Sequence, residues 1–290
     1  MDFTQAKVVT AMVTPFDDDN QVSFSRLEKL INYLIATGSQ GILVNGTTGE
    51  GPTLSHAEKI ALIEATVKYV AGRVPVMVGT GSNATAQTLE FTHEVSQISG
   101  VDAVLVVVPY YNKPNQAGML AHFTAVADAS NLPVFIYNIP GRTGVKMEVE
   151  TVVTLAKHPR IAGIKSCTGV EDLALLVEET PADFLVYSGE DAESLAAAAI
   201  GAQGIISVAS HIYGSEMVQM YAAYAARENE VAARLMRQLT PKMKLLFSYP
   251  SPTPVKAVLN RLEIPVGKTR LPLVDLTDEQ AQKLMLDLGL

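Results

Sequence analysis

Eight short apolar runs, rich in valine and isoleucine, recur along the chain with longer stretches of helical pattern between them. Runs of this length and composition predict strands buried on both faces, which are typical of parallel sheets covered by helices. The predicted strands are residues 8–13, 41–44, 74–78, 103–108, 134–137, 161–164, 184–187 and 204–208. Eight strands, each followed by a helix, predict the α/β class and a closed (β/α)8 TIM barrel, which leaves no sheet edge unpaired.

The segments between the runs carry the marks of amphipathic helices. One apolar stripe at helical spacing consists of Leu27, Leu30, Ile31, Leu34 and Ile35. Ser55 and Glu58 have the spacing of a capping box and predict the start of a second helix.

The pattern changes after residue 226, where no further strand-like run occurs. Three helical segments remain, at 231–247, 255–262 and 278–288, and the prolines within 249–254 separate the first from the second. We therefore predict a catalytic barrel over residues 1–225 and a small C-terminal α-helical domain over residues 226–290.

Composition excludes several classes of function. With 48% hydrophobic and 18% charged residues, the chain is expected to be compact and globular. A net charge of -8 argues against nucleic acid or a membrane surface as partner.

Residues 1–5 lack the pattern of a signal peptide, so we expect a cytoplasmic protein. The single cysteine, Cys167, cannot form an internal disulfide or a cysteine-based zinc site, and we expect neither metal nor cofactor.

A lysine stands at the position where this fold places chemistry. Active-site residues of such barrels follow the carboxyl ends of the strands, and Lys165 is the only lysine that directly follows one of the eight runs. Loss of hydration at the end of a buried strand favours the neutral amine, which can attack a carbonyl carbon. Lys165 is therefore our candidate Schiff-base nucleophile; the alternative is a lysine whose ammonium group reaches solvent from the strand end.

Polar residues follow the neighbouring strands as well. The loop at 46–51 offers backbone N–H groups and the hydroxyls of Thr47 and Thr48, which suit the carboxylate of a small keto acid. Tyr137 ends the fifth run and can transfer protons, and Arg142 offers a planar fork for a second carboxylate. Each has a plainer interpretation alone, as a tight turn, a solvated tyrosine or a surface arginine. Their arrival with Lys165 at one barrel face favours an active site.

Three motifs, in this order, resemble the pyruvate-dependent class I aldolase superfamily, which includes N-acetylneuraminate lyase. They are Gly-Thr-Thr-Gly-Glu at 46–50, Tyr-Asn-Ile-Pro at 137–140 and Gly-Ile-Lys at 163–165. Within the superfamily the chain is most similar to the dihydrodipicolinate synthase family. That similarity rests on the threonine pair at 47–48, the tyrosine pair at 110–111, Arg142, and Ser-Pro-Thr-Pro-Val-Lys at 251–256.

The resemblance implies a lyase of diaminopimelate and lysine biosynthesis that condenses pyruvate with L-aspartate 4-semialdehyde through a Schiff base on Lys165. It implies a proton relay of Tyr137, Thr47 and Tyr111, and substrate-binding roles for Thr48, Arg142, Gly189 and Ile206. It also implies a homo-oligomer, a tetramer built as a dimer of dimers, in which Tyr111 reaches into the site of a neighbouring subunit.

Two alternatives stay open at this point. One is another pyruvate-dependent lyase or aldolase, acting on 2-keto-3-deoxy sugar acids or on sialate, from which Arg142 would distinguish the synthase. The other is a non-catalytic keto-acid sensor on the same barrel, which need not keep both Lys165 and Tyr137.

The resemblance also leads to a prediction about regulation. Family members that L-lysine inhibits carry an acid where this chain has Gln87 and a histidine where it has Lys59, although His56 and Asn83 are retained. We expect little or no inhibition by L-lysine, because no carboxylate at position 87 pairs with the effector's ammonium group. A steady-state assay over increasing lysine tests this expectation, and half-inhibition at a low lysine concentration would contradict it.

Overall fold

The computed structural model describes residues 1–290. Eight strands form a closed barrel in chain order, which confirms the predicted (β/α)8 architecture. The strands are β1 (Val8–Ala11), β2 (Gly41–Val44), β3 (Val76–Gly79), β4 (Ala103–Val107), β5 (Val134–Asn138), β6 (Ile161–Ser166), β7 (Leu185–Ser188) and β8 (Gly204–Ser207). Every predicted apolar run contributes one strand. The side chains of such a run are apolar on both faces, as a strand of a parallel sheet covered on both sides requires.

Twelve α-helices connect and follow the strands. They are α1 (Phe24–Ala36), α2 (His56–Val70), α3 (Thr85–Val95), α4 (Gln116–Ala129), α5 (Pro140–Thr143), α6 (Val149–Leu155), α7 (Val170–Glu179), α8 (Ser194–Ala199), α9 (Ser210–Ala225), α10 (Asn229–Leu245), α11 (Thr253–Arg261) and α12 (Asp278–Leu288). No helix among them has both the length and the apolar character that crossing a membrane requires.

The predicted local signals lie where they were expected. Four of the five residues of the α1 stripe are buried, and the fifth, Ile35, is only partly buried because it lies at the margin of the stripe. At the start of α2, the backbone N–H of Glu58 donates to the Ser55 hydroxyl (3.3 Å) and the Glu58 carboxylate accepts from the backbone N–H of Ser55 (2.8 Å). This reciprocal pair is the predicted capping box, and it satisfies two N–H groups that have no partner within the helix.

Strand ends differ from the predicted ones by one or two residues. β6 continues through Lys165 to Ser166, because backbone pairing proceeds past the apolar run: Lys165 is in register with Tyr137 of β5 and with Tyr187 of β7. β1 instead ends at Ala11, and the backbone N–H of Val13 donates to the imidazole of His211 (3.1 Å).

Contacts divide the chain into two compact units, of which the first comprises residues 1–6 and 75–206. In this unit the ring centroids of Phe3 and Phe135 are 5.8 Å apart, and those of Phe135 and Tyr187 are 6.3 Å apart. The Tyr187 hydroxyl lies 2.8 Å from the carbonyl oxygen of Phe3 and 2.7 Å from that of Ala6. These contacts fasten the N-terminal segment to β5 and β7.

The second unit comprises residues 7–74 and 207–290, and includes β1, β2 and the helices α9 to α12. Its buried interior contains a small hydroxyl cluster, in which Thr10 Oγ1 lies 2.5 Å from Ser39 Oγ and 2.8 Å from Ser210 Oγ. The strand-free C-terminal helices belong to this unit. A domain boundary between residues 225 and 226 stays a prediction.

Candidate active site

Lys165 is buried near the carboxyl end of β6, with 5% of its surface exposed. Its Nζ atom lies 4.5 Å from the ring centroid of Tyr137, its register partner on β5, which is also buried. The amine therefore rests against an aromatic ring, and the interpretation of Lys165 as a solvated strand end is wrong. Nζ donates no hydrogen bond and forms no ion pair within the chain, so the group is not committed to a structural contact.

Two glycines allow close packing around β6, and one of them leaves room for the lysine side chain. A Cβ atom at Gly163 would lie 2.5 Å from the ring of Phe135 and 2.4 Å from the carbonyl oxygen of Leu185, so only a residue without a side chain lets this ring pack against β6. A Cβ at Gly189, just after β7, would lie 2.8 Å from Lys165 Cε. The structure thus brings Gly189, Tyr137 and Lys165 together, as predicted for a common site.

An acidic residue beside this lysine was missed by sequence reasoning. The Glu190 side chain is exposed at the surface, but its carboxyl is partly shielded from water and lies within hydrogen-bonding reach of the Cys167 thiol. Burial raises the pKa of the Glu190 carboxyl, and the charge of Lys165 opposes this rise. The signal was available, because Glu190 and Asp191 follow the seventh apolar run almost directly.

Cys167 fills the space next to Gly189, where a Cβ atom would lie 2.3 Å from its sulfur. Burial raises the pKa of the Cys167 thiol to about 12, partly opposed by Lys165 and reinforced by Glu190. A thiol kept protonated is a poor nucleophile. The geometry therefore favours a packing role for Cys167 over a catalytic one.

Arg142 lies in α5, a single helical turn directly after β5, and its guanidinium group is exposed without an ion-pair partner in the chain. The loop that carries it is held from below by Asn138, whose amide nitrogen donates to the carbonyl oxygen of Met147 (2.8 Å) and whose oxygen accepts from the N–H of Met147 (3.1 Å). The Thr143 hydroxyl donates to the carbonyl oxygen of Val145 (2.7 Å). A fixed loop thus presents an unpaired cation.

Tyr111 is 86% exposed, and its backbone is in the left-handed region at φ +72°. Its N–H donates to the carbonyl oxygen of Thr143 (3.4 Å), which links it to the loop of Arg142. The side chain of Tyr111 therefore has no packed position within its own chain. Ile206, by contrast, is fully buried in β8, and its substrate-binding role stays a prediction.

In the second unit, the loop at 46–51 forms a tight turn after β2. The N–H groups of Gly49 and Gly51 donate to the carbonyl oxygen of Gly46 (3.1 and 3.3 Å). The backbone N–H groups and the hydroxyls of Thr47 and Thr48 have no hydrogen-bond partner in the chain, although Thr48 is buried. Donors without partners in a turn of this kind suit an anion such as a carboxylate. A common site of these threonines with Lys165 stays a prediction.

A closed parallel barrel with a buried lysine at the end of one strand defines an enzyme of the (β/α)8-barrel class. No group of three or more His, Cys, Asp or Glu side chains is placed to hold a metal ion. A sequence model of the Dihydrodipicolinate synthetase family matches residues 4–289. The chain belongs to this family, which confirms the resemblance predicted from the three motifs.

Named relatives and solved structures agree with this assignment. The 4-hydroxy-tetrahydrodipicolinate synthase of Ligilactobacillus salivarius is 60% identical over 284 residues, which are 98% of each chain. A dihydrodipicolinate synthase structure from Bacillus anthracis has a TM-score of 0.96 at 46% identity and covers 98% of both chains. The chloride-inhibited enzyme from Acinetobacter baumannii, solved in complex with pyruvate, has a TM-score of 0.93 at 35% identity, covering 98% of this chain and 99% of that one.

The environment of Cys167 leads to a testable expectation. With a thiol pKa of about 12, only about one thiol in ten thousand is ionised at pH 8, whereas an unperturbed cysteine is substantially ionised there. We expect iodoacetamide to alkylate the folded protein at least about 100-fold more slowly than the urea-unfolded chain, as followed by mass spectrometry. Because Cys167 is the only cysteine, no second thiol complicates the readout. Similar rates in the two states would contradict this account.

Proposed function

We propose that this chain condenses pyruvate with L-aspartate 4-semialdehyde to give 4-hydroxy-tetrahydrodipicolinate, through a Schiff base on Lys165. The observation that carries the proposal is the buried, unpaired amine of Lys165 against the ring of Tyr137, in a member of this family. Relatives that match nearly the whole chain at 60% and 55% identity are named for this synthase. Another pyruvate-dependent aldolase or a non-catalytic sensor is therefore less well supported.

The first step forms the imine. The neutral Lys165 amine attacks the C2 carbonyl of pyruvate, the C–O bond breaks, and one water leaves as the C=N bond forms. Protons must move from the nitrogen to the departing oxygen, and a phenol can carry them in both directions. The contact between Lys165 and Tyr137 supports Tyr137 in this role.

The second step uses the imine as an electron sink. Loss of a proton from the pyruvate methyl group gives an enamine, whose carbon attacks the aldehyde carbon of the semialdehyde. The amino group of the second substrate then attacks the imine carbon, closes the ring and releases Lys165. The protonated imine withdraws the electrons that this chemistry needs, so the proposed reaction requires no metal and no cofactor.

The remaining predicted residues fit the two substrates. The free N–H of Thr48 is proposed to bind the pyruvate carboxylate, and the unpaired guanidinium of Arg142 the carboxylate of the semialdehyde. Gly189 and Ile206 are proposed to line the substrate site, Gly189 because it leaves space beside the lysine. Tyr137, Thr47 and Tyr111 are proposed to form the proton relay.

An oligomer is part of this proposal. A tyrosine with 86% of its surface exposed carries out no buried proton transfer in its own chain, so Tyr111 is proposed to enter the site of a neighbouring subunit. A tetramer built as a dimer of dimers remains our expectation, and so does a cytoplasmic location. The exposure of Tyr111 supports an interface at this position.

Reduction with borohydride tests the nucleophile. In the presence of pyruvate, borohydride is expected to reduce the imine and leave one pyruvate-derived adduct on Lys165, located by peptide mass mapping. Lys165→Arg is expected to give no adduct, whereas the exposed Lys157→Arg serves as a matched control and should still be labelled on Lys165. An adduct on a different lysine, or none, would overturn the mechanism.

Truncation of Arg142 tests the second substrate. Arg142→Ala removes charge-assisted hydrogen bonds worth about 1.5–3 kcal/mol, so the KM for the semialdehyde is expected to rise about 10- to 100-fold. Borohydride trapping of pyruvate should be unchanged, and Arg160→Ala, another exposed arginine, should leave both measurements unaltered. Unchanged turnover of the semialdehyde in Arg142→Ala would argue for a different pyruvate-dependent reaction.

A further inference from the structure

The last residue of the 46–50 motif is a buried carboxylate whose two oxygens are bound by the C-terminal segment. Lys256 Nζ donates to Glu50 Oε1 (2.7 Å), and their side chains are only 2% and 1% exposed. Glu50 Oε2 accepts from the backbone N–H of Arg270 (2.8 Å). Lys256 Nζ also donates to the carbonyl oxygen of Lys268 (2.8 Å). The carboxylate and the ammonium group are thus both satisfied by residues remote in sequence.

A second set of contacts surrounds this pair. Lys256 Nζ lies 4.3 Å from the ring centroid of Phe16, and the guanidinium carbon of Arg270 lies 4.2 Å from the same centroid. Arg270 also binds both carboxylate oxygens of Glu58 (2.5 and 3.1 Å), and hydrogen bonding to Arg270 lowers the pKa of Glu58 to about 2. The same arginine therefore holds the start of α2, directly after the loop.

Glu50 sets the shape of the turn that carries the two threonines. Its N–H donates to the carbonyl oxygen of Thr47 (3.1 Å), and its backbone is in the left-handed region at φ +54°. Its own carbonyl oxygen accepts from the N–H and the hydroxyl of Thr53, both at 2.9 Å. A displacement of Glu50 would consequently change the direction of the free N–H groups of Thr47 and Thr48.

Burial of an ion pair is a poor means of stabilising a fold. Removing both charges from water costs about as much free energy as their attraction returns, and apolar residues of similar volume often do as well. The pair is better explained by its directionality, because each oxygen of Glu50 accepts a hydrogen bond from a different donor, Lys256 Nζ and the Arg270 N–H. The ion pair therefore fixes the position of the Glu50 carboxylate, and with it the loop that carries Glu50.

We infer that Lys256 is a positioning residue for the pyruvate carboxylate, acting through Glu50 to hold the loop that carries Thr47 and Thr48. The inference rests on the proposed function, in which this loop binds pyruvate. Lys256 lies in α11 and acts on the loop, not on the substrate, so its effect on the reaction is indirect.

Steady-state kinetics with the full chain test this inference. Lys256→Met is expected to raise the KM for pyruvate about 10-fold or more, because a misplacement on the order of 1 Å can cost that much, and to leave the KM for the semialdehyde unchanged. Lys256→Arg, which keeps a cation, is expected to recover part of the pyruvate affinity. Lys283→Met removes an exposed lysine from its pair with Asp287 and should change neither KM.

Lys256→Met leaves the buried Glu50 carboxylate without its partner and can prevent folding. The double variant Glu50→Gln/Lys256→Met removes both charges while conserving shape, and the same selective rise in the pyruvate KM is expected for it. A core variant such as Met119→Ala, which lowers the melting temperature without touching the loop, controls for general destabilisation.

Two results separate this inference from the proposed function. Absence of a borohydride-trapped pyruvate on Lys165 in the parent chain would reject the proposed function itself. If the parent is trapped but a folded Lys256 variant keeps its pyruvate KM within about twofold, or both KM values rise equally, the positioning role is rejected and the proposed function stands.

Discussion

Closure of the parallel barrel is the constraint on which the other features depend. Strands paired on both sides and covered on both faces accept almost only apolar side chains, so polar groups are confined to the strand ends and the loops that follow. Lys165 is an exception that pairing itself creates. β6 continues for two residues past its apolar run, and Lys165, the first of these, is in register with Tyr137 and Tyr187. The amine is thereby held between strands and away from solvent.

The chain buries two lysines and treats them in opposite ways. Lys256 donates to Glu50 and to the carbonyl oxygen of Lys268, so its protons are engaged in structural hydrogen bonds. Lys165 donates no hydrogen bond within the chain, and its nitrogen lies against the ring of Tyr137 with Glu190 and Cys167 near it. A lysine without a hydrogen-bond partner can react with a carbonyl group without breaking a structural contact, whereas one bound to a carboxylate holds a loop in place. This contrast is the physical basis for assigning the Schiff base to one and the positioning role to the other.

Much of this could be predicted because the relevant signals are local. Apolar runs locate the eight strands, Ser55 and Glu58 locate the start of α2, and three short motifs identify the family. The ends of the strands could not be predicted from apolar runs alone, because they depend on pairing with other segments. β6 extends to Ser166 because β5 pairs with it, and β1 stops at Ala11, after which the backbone N–H of Val13 donates to His211. Glu190 was missed, although it follows its strand closely, because an acid in a loop has the same sequence pattern whether or not the fold brings it near Lys165 and Cys167.

The sequence by itself determined the barrel, the choice of Lys165 and the family, since each depends on residues within a few positions of one another. Only the tertiary structure decided that Gly189 leaves space for the side chain of Lys165 and that Tyr111 has no packed position in its own chain. It also decided that Glu50 pairs with Lys256. The last two partners lie 206 positions apart. No periodicity or motif links such residues, because their proximity results from closure of the fold and packing of the C-terminal segment against the loop.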